Sequence, residues 1–406
     1  MLAFAWALAL LVAAPPPPPP PSPNDDVAAL AAHGRTLAER FECNRCHEGN
    51  GLAPVAADKA CVGCHAAVEA GTFEAPPDVL RRWQDHIVNL TIVPSLDGGA
   101  RFRRDWIAAF LQRPHAHDLR PSLPAQMPRL AIGPEEARAL AAWVAGPEPT
   151  TTIDPLWFAS ARAGRRLVEQ KGCAVCHRMT GLSSGLAVSA VPVPMTPEAM
   201  RDGIALAPDL KWTRERLRPQ AIVDWLIRPS AVKPRTAMPD IPLTRDEAED
   251  IAAFLLEAPL DPVAPAPIPT RLPVLERRVG FEEVKARVFR NTCWHCHSEP
   301  DLAVGDGGPG NTGGFGFQGR GLSFVDYTAI TAGSVGDDGA RRSIFRAIPV
   351  AGYGEMPRLL AHLWARVVEQ SGGEIPGIRG MPLGIPALSL EDLQLVESWI
   401  AQGRPE

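Results

Sequence analysis

The sequence predicts an all-α chain of three tandem helical domains with long loops rich in proline and glycine. Three observations predict it. A pattern of helix, Cys-x-x-Cys-His, long loop, Met-Pro and closing helix occurs three times, and proline-rich linkers separate the three copies. Apolar residues in the closing segments recur at helical spacing. The chain has 406 residues, including 43 prolines and 35 glycines, and this length exceeds that of a single core.

The charge balance excludes one class of partner. The net charge is -5 and the sequence pI is about 6.1. A protein that binds nucleic acid usually has a basic surface, and this composition offers none. We therefore expect no nucleic-acid partner, and the charge indicates no other particular partner.

Residues 1–26 predict a signal-like segment followed by a proline-rich spacer. The apolar run MLAFAWALALLVAA has the length of a signal-peptide core and is too short for an ordinary membrane span. No basic residue precedes the run, and proline follows directly after Ala14, where cleavage would be expected. We expect a periplasmic or otherwise exported protein, and a retained segment would give weak membrane association.

All eight cysteines belong to four copies of the motif Cys-x-x-Cys-His. The cysteines are Cys43, Cys46, Cys61, Cys64, Cys173, Cys176, Cys293 and Cys296, and the histidines are His47, His65, His177 and His297. A disulfide needs no histidine after the second cysteine, whereas haem c attachment uses all three residues. The two thiols add to the porphyrin vinyl groups and the imidazole binds the iron. The sequence therefore predicts four haem c groups.

The first two motifs leave an alternative open. Their cysteine pairs are separated by fourteen residues, a spacing that also suits a four-cysteine zinc ribbon. The histidine after every pair favours two haem sites close together. Because haem is normally attached to this motif outside the cytoplasmic membrane, the motifs also support export.

The helices that surround the motifs have recognisable signals. Pro134 follows Gly133 at the start of the first closing helix, Thr244 and Glu247 predict a capping box, and Ser389 predicts a cap on the third. Small residues nine positions before the first cysteine, at Gly34 and Gly164, allow two helices to approach closely. The third copy has Val284 there, so its helix contact is expected to differ.

In this order of elements the sequence resembles class I c-type cytochromes, in which a helix ending in the motif packs across a C-terminal helix. The resemblance implies three tandem class I domains: a dihaem domain at 27–147 and monohaem domains at 155–258 and 274–404. It also implies a methionine from the loop before the last helix as second axial ligand. Met127, Met238 and Met381 occupy that place, each followed by proline, and Met356 is an alternative to Met381. A proline such as Pro94 or Pro208 would lie against the proximal imidazole.

The haem at Cys61 and Cys64 has no methionine of its own, so its iron needs a histidine or stays open. We predict His86, in the helix that follows the motif. His33, His115 and His117 are alternatives, the last two expected to be solvated, and His295 is expected to point away from its own haem. The glycine-rich stretch at residues 305–321 is expected to wrap a haem edge.

Covalent haems with both axial positions filled favour electron transfer between redox proteins, or within a dehydrogenase or oxidase complex, over catalysis. The alternative is a haem enzyme, a peroxidase or a small-molecule reductase, acting at an open iron at Cys61/Cys64. His86, His115, His117 and Arg113 would then be distal groups. A haem-based sensor is a third class, but no signalling domain is evident in the sequence.

Overall fold

The computed structural model describes residues 23–87, 93–116, 127–147, 156–182, 185–186, 195–234, 236–260, 267–299 and 308–406. We refer to 23–147 as the first segment, 156–260 as the second and 267–406 as the third. The helices are α1 (Pro23–Arg40), α2 (Cys61–Glu69), α3 (Pro77–His86), α4 (Arg104–Gln112), α5 (Pro134–Ala145), α6 (Ala161–Gln170), α7 (Pro197–Leu206), α8 (Thr213–Arg216), α9 (Pro219–Ile227), α10 (Pro229–Val232), α11 (Arg245–Glu257), α12 (Phe281–Val284), α13 (Tyr327–Ala332), α14 (Arg358–Gln370) and α15 (Leu390–Ala401).

Six short strands complete the described part, all of them in the third segment. They are β1 (Gly313–Gly314), β2 (Phe317–Gln318), β3 (Ser334–Val335), β4 (Arg341–Arg342), β5 (Ala347–Val350) and β6 (Gly354–Pro357). Each pairs with its neighbour as an antiparallel two-stranded hairpin. The fold is therefore helix-rich, and the expectation of an all-α chain omitted these hairpins.

The first segment is built on a close crossing of α1 and α5. A Cβ atom at Gly34 would lie 2.1 Å from the Ala139 carbonyl oxygen, so only glycine permits this approach. Leu37 and Leu140 are buried beside the crossing. After α1 the backbone turns through a left-handed residue, Glu42, into the first motif. The helix α1 begins at Pro23, inside the stretch expected to be a spacer.

The second segment repeats this arrangement with α6 and α11. A Cβ atom at Gly164 would lie 1.9 Å from the Asp250 carbonyl oxygen. Gly172 turns the chain into the motif with a φ of 73°, at the position where the first segment has Glu42. The predicted capping box of Thr244 and Glu247 starts α11. The expected close approach of the helices at both glycines is confirmed.

The third segment has a different contact between its helices, as the valine at position 284 predicts. The helix α12 continues as a π-helical stretch, Lys285–Cys293, that runs into the motif. Val284 is fully buried, and Trp399 of α15 is fully buried in the same core. The helix α14, most of whose residues are buried, adds a further layer to this core. The starts of α5 at Pro134 and of α15 after Ser389 agree with the sequence signals.

The segments contact one another through backbone and charged groups. Phe102 and Leu217 form an antiparallel bridge between the first and second segments. Between the first and third, the Phe315 amide donates to Glu42 at 2.8 Å, and Arg129 pairs with Glu369 of α14 at 2.5 Å. In the described residues no helix is both long enough and apolar enough to cross a membrane.

Candidate haem-binding site

The second segment carries the site with the most complete geometry. Cys173 and Cys176 lie on a short 3₁₀ turn directly after α6, and His177 follows. His177 Nδ1 lies 2.9 Å from the Pro208 carbonyl oxygen, which only accepts, so Nδ1 is the protonated nitrogen. Burial lowers the pKa of His177. The imidazole is thus held neutral, with Nε2 as the nitrogen able to bind iron.

Met238 lies in the same segment, as the sequence predicted. Its side chain is half-buried against the core of the second segment, and Trp225 Nε1 donates to its sulfur at 2.9 Å. The Met238 amide donates to Thr236 Oγ1 at 3.1 Å, which fixes the backbone before the proline. The thioether is therefore positioned by a helix, α9, as well as by its own loop.

The first motif has the same support for its histidine. His47 Nδ1 donates to the Pro94 carbonyl at 2.9 Å, and burial lowers the pKa of His47. The expectation that Pro94 and Pro208 lie against the two imidazoles is confirmed. Met127 is half-buried at the start of the stretch that leads to α5.

The first cysteine of each of three motifs is partly buried. Burial raises the pKa of Cys43 and of Cys173 to about 11, and that of Cys293 to about 12. Within the described ranges, no three His, Cys, Asp or Glu side chains converge as a metal cluster would require.

The second motif adjoins the first. It occupies the start of α2 rather than the end of a helix. The thiols of Cys46 and Cys61 hydrogen-bond, and this contact together with burial raises the pKa of Cys46. Arg45, which is buried, donates from Nε to the Lys59 carbonyl at 3.2 Å and so braces the chain just before Cys61. The attachment points of the two predicted haems are therefore next to each other.

The candidate distal histidines of the second motif differ in burial and in how much of them the structure describes. His86 is the last residue of α3, and its side chain lies outside the described residues, as does the whole of His117. His33 is exposed on α1. The expectation that His115 is solvated was wrong, because it is 9% exposed, close to Arg129 and Glu374. The ring of His295, from the third motif, lies 6.1 Å from that of His65, centre to centre.

The third motif is supported differently from the first two. Gly310, from the glycine-rich stretch, packs so closely that a Cβ atom there would lie 2.1 Å from His297 Cε1. Phe324 contacts the other side of the ring edge-on at 5.3 Å. Burial lowers the pKa of His297 to about 4. The described part of the glycine-rich stretch therefore packs against the proximal imidazole.

Three side chains are candidates for the distal side of the third motif. Met381 is half-buried against the core, and its amide donates to the His362 carbonyl at 2.9 Å. Met356, the alternative, is 2% exposed within β6 opposite Ile348. Sequence reasoning missed His362, which lies on α14 and donates from Nδ1 to the Arg379 carbonyl at 2.7 Å. The helical apolar pattern of RLLAHLWARVVEQ was the available signal.

Comparison with known proteins agrees with this geometry in the second segment. Residues 161–259 match the family described as Cytochrome c. The chain contains a cytochrome c domain. Thiosulfate dehydrogenase from Marichromatium purpuratum, in its as-isolated form, is 17% identical and aligns over 92% of this chain and 68% of its own, with a TM-score of 0.18. That score is too low to relate the two folds. No curated protein matches the sequence.

The cytochrome c domain implies covalently bound haem c, and its residues fit that group. Two adjacent thiols stand beside a neutral imidazole whose Nδ1 is already committed to Pro208. A thioether lies on the loop before the closing helix α11. Cys173, Cys176, His177 and Met238 would therefore hold the haem of this domain.

Proposed function

We propose that the chain is a multihaem c-type cytochrome that transfers electrons between redox partners through four covalently bound haems. The observation that carries the proposal is the repeated support of the motif histidine by a proline carbonyl, at His47 and at His177. When bound, haem supplies a one-electron iron couple at each site. The chain's own residues hold the group, fix its ligands and bring neighbouring sites together.

The proposed organisation is three tandem class I domains, at 27–147, 155–258 and 274–404, with two haems in the first. The crossing of α1 with α5 at Gly34 repeats that of α6 with α11 at Gly164, and this repetition supports equivalent roles for the two segments. The contact of Cys46 with Cys61 supports a close haem pair in the first domain.

Apart from the haem at Cys61 and Cys64, each haem is proposed to have a methionine as its distal ligand. These methionines are Met127, Met238 and Met381. A neutral thioether favours ferrous iron, so histidine–methionine ligation raises a haem's potential. The support differs among them. Met238 has a defined sulfur contact with Trp225, whereas Met381 shares its surroundings with His362. Met356 is packed as a core residue.

The proposed partners are redox proteins, or the dehydrogenase or oxidase of a larger complex. Cytochrome c domains are typically exported, so we propose a periplasmic location, in keeping with the signal-like N-terminus. Weak association with a membrane through residues 1–26 belongs to the same proposal. Nothing in the charge balance favours nucleic acid.

The proposal is tested by counting haems and by probing them with carbon monoxide. Alkaline pyridine spectra give haem per protein, and the mass of the unfolded chain with its tryptic peptides identifies the modified cysteines. Four haems on four motifs are expected. A reduced spectrum that carbon monoxide leaves unchanged supports an electron carrier with every iron six-coordinate.

A smaller haem count, or unmodified cysteines in any motif, would refute the proposal of four haems. Carbon monoxide binding at one haem in four would instead favour the enzyme alternative, a peroxidase or a small-molecule reductase at the Cys61/Cys64 iron. The matched control is the Cys173→Ser/Cys176→Ser variant, which should lose a single haem and leave the other three spectra unchanged.

A further inference from the structure

We propose that His295, inside the third motif, is the distal ligand of the haem attached at Cys61 and Cys64, opposite His65. The iron of that haem would then be bound by the first and third segments together. This inference rests on the proposed function, because it requires haem at the second motif. His295 would take the place of the predicted ligand His86, and the iron would then have two imidazole ligands.

The separation of the two rings carries the inference. A metal–imidazole bond is about 2 Å long, and the ring centre lies about 1.1 Å beyond the bound nitrogen, so two imidazoles on opposite sides of one metal have centres about 6.2 Å apart. The centres of His65 and His295 are 6.1 Å apart, with 45° between the ring planes. Rotation about the iron–nitrogen axis permits that angle.

Aromatic rings in direct contact can have the same spacing, as Phe281 and Phe289 do at 6.3 Å with 44° between their planes, so the test below is designed to distinguish ligation from contact.

The backbone at His295 is held rigidly in this position. Gly308 packs so closely that a Cβ atom there would lie 2.8 Å from the His295 carbonyl oxygen. On the other side, Trp294 Nε1 donates to the Phe324 carbonyl at 2.9 Å. The His295 side chain is exposed, and its ring is near that of His65.

Position 295 is distinctive among the four motifs. The equivalent residues in the other motifs are Arg45, Gly63 and Val175, none of which is a usual iron ligand. Arg45 is turned inward, to Glu42 and the Lys59 carbonyl. Only the third motif therefore offers an imidazole at this position.

Several contacts join the first and third segments, which carry the two histidines. Glu42 accepts from the Phe315 amide, and Arg45 lies over the Phe315 ring at 4.9 Å. Arg129 binds both Glu369 and Glu374. Apart from Arg45, these contacts are made by residues outside the motifs, and none of the residues is a proposed haem ligand.

The test compares His295→Ala with His86→Ala, and His33→Ala serves as an exposed-histidine control. Haem per protein is measured first, and low-temperature electron paramagnetic resonance, near-infrared spectra and carbon monoxide binding follow. In His295→Ala one haem in four is expected to become high-spin and to bind carbon monoxide, and added imidazole should restore the low-spin spectrum. His86→Ala and His33→Ala should match the wild type.

The outcomes distinguish an error in the ligand assignment from an error in the proposed function. Four haems with an unchanged spectrum in His295→Ala would overturn the ligand assignment and leave the proposed function intact. The same spectral change in His86→Ala alone would overturn it in favour of His86. Three haems in the wild type, with Cys61 and Cys64 unmodified, would overturn both. His295→Met, which keeps a ligand of similar length, should stay low-spin with a raised potential for one haem.

Discussion

The substitution Gly34→Ala tests the helix crossing that positions the first motif. The new Cβ atom would lie 2.1 Å from the Ala139 carbonyl oxygen, 2.6 Å from its carbon and 2.7 Å from Trp143 Cβ. Nonbonded carbons normally stay about 3.5–4.0 Å apart. Since two of the three atoms belong to the backbone of α5, no rotamer change relieves the overlap, and the two helices must separate by more than about 1 Å.

Two effects of opposite sign set the size of the change. Alanine in a helix interior is favoured over glycine by about 1 kcal/mol. Overpacking costs about 1–3 kcal/mol, and a clash against backbone belongs at the upper end of that range. We therefore expect Gly34→Ala to lower the free energy of unfolding by about 2 kcal/mol.

The assay is guanidinium unfolding of the haem-loaded protein, followed by far-ultraviolet circular dichroism and by the Soret band. The matched control is Gly133→Ala at the start of α5, where the nearest atom to a new Cβ is 3.7 Å away. That control should change stability by less than about 1 kcal/mol. A Gly34→Ala protein as stable as the wild type would refute the close crossing of α1 and α5.

Three further predictions concern the ligands and the contact between segments. Met238→Ala should lower the potential of one haem while the haem stays attached, because a thioether favours ferrous iron; an unchanged redox titration would exclude Met238 as a ligand. Met356→Ala should destabilise the chain by about 2–5 kcal/mol without changing any potential, whereas Met381→Ala should lower one potential; the reverse result would move the ligand to Met356. Arg129→Met leaves the buried Glu369 carboxylate without its closest cation, and thermal unfolding should show a loss on the order of 2 kcal/mol. Its control, Arg138→Met, removes an exposed pair with Glu135 and should cost less than about 1 kcal/mol; equal losses would contradict the reasoning.

Local signals in the sequence predicted local structure well. The capping box of Thr244 and Glu247 depends on residues within one turn, and it forms as expected. The glycines at 34 and 164 were recognisable because each precedes a motif by the same interval. The contact of Pro208 with His177 followed from the family resemblance, since a hydrogen bond donated to a backbone carbonyl leaves no mark on the sequence.

The parts that could not be predicted depend on contacts between distant residues. His65 and His295 lie near each other only because the third segment packs on the first, and no periodicity encodes that packing. His115 was expected in solvent because it shares a loop with His117 just before Met127. Its burial comes from residues of the third segment, including Glu374. The hairpins of that segment are too short to produce an alternating pattern.

The contact of Glu42 with the Phe315 amide joins segments that are far apart in the chain. Two separate proteins that exchange an electron must first meet, so their rate falls on dilution and responds to salt. Redox groups held on the two segments that this contact joins need no such encounter, because one chain already keeps them close together. Exchange between them would be first-order, with a rate independent of how dilute the protein is. Only the steps that involve an outside partner would then depend on ionic strength.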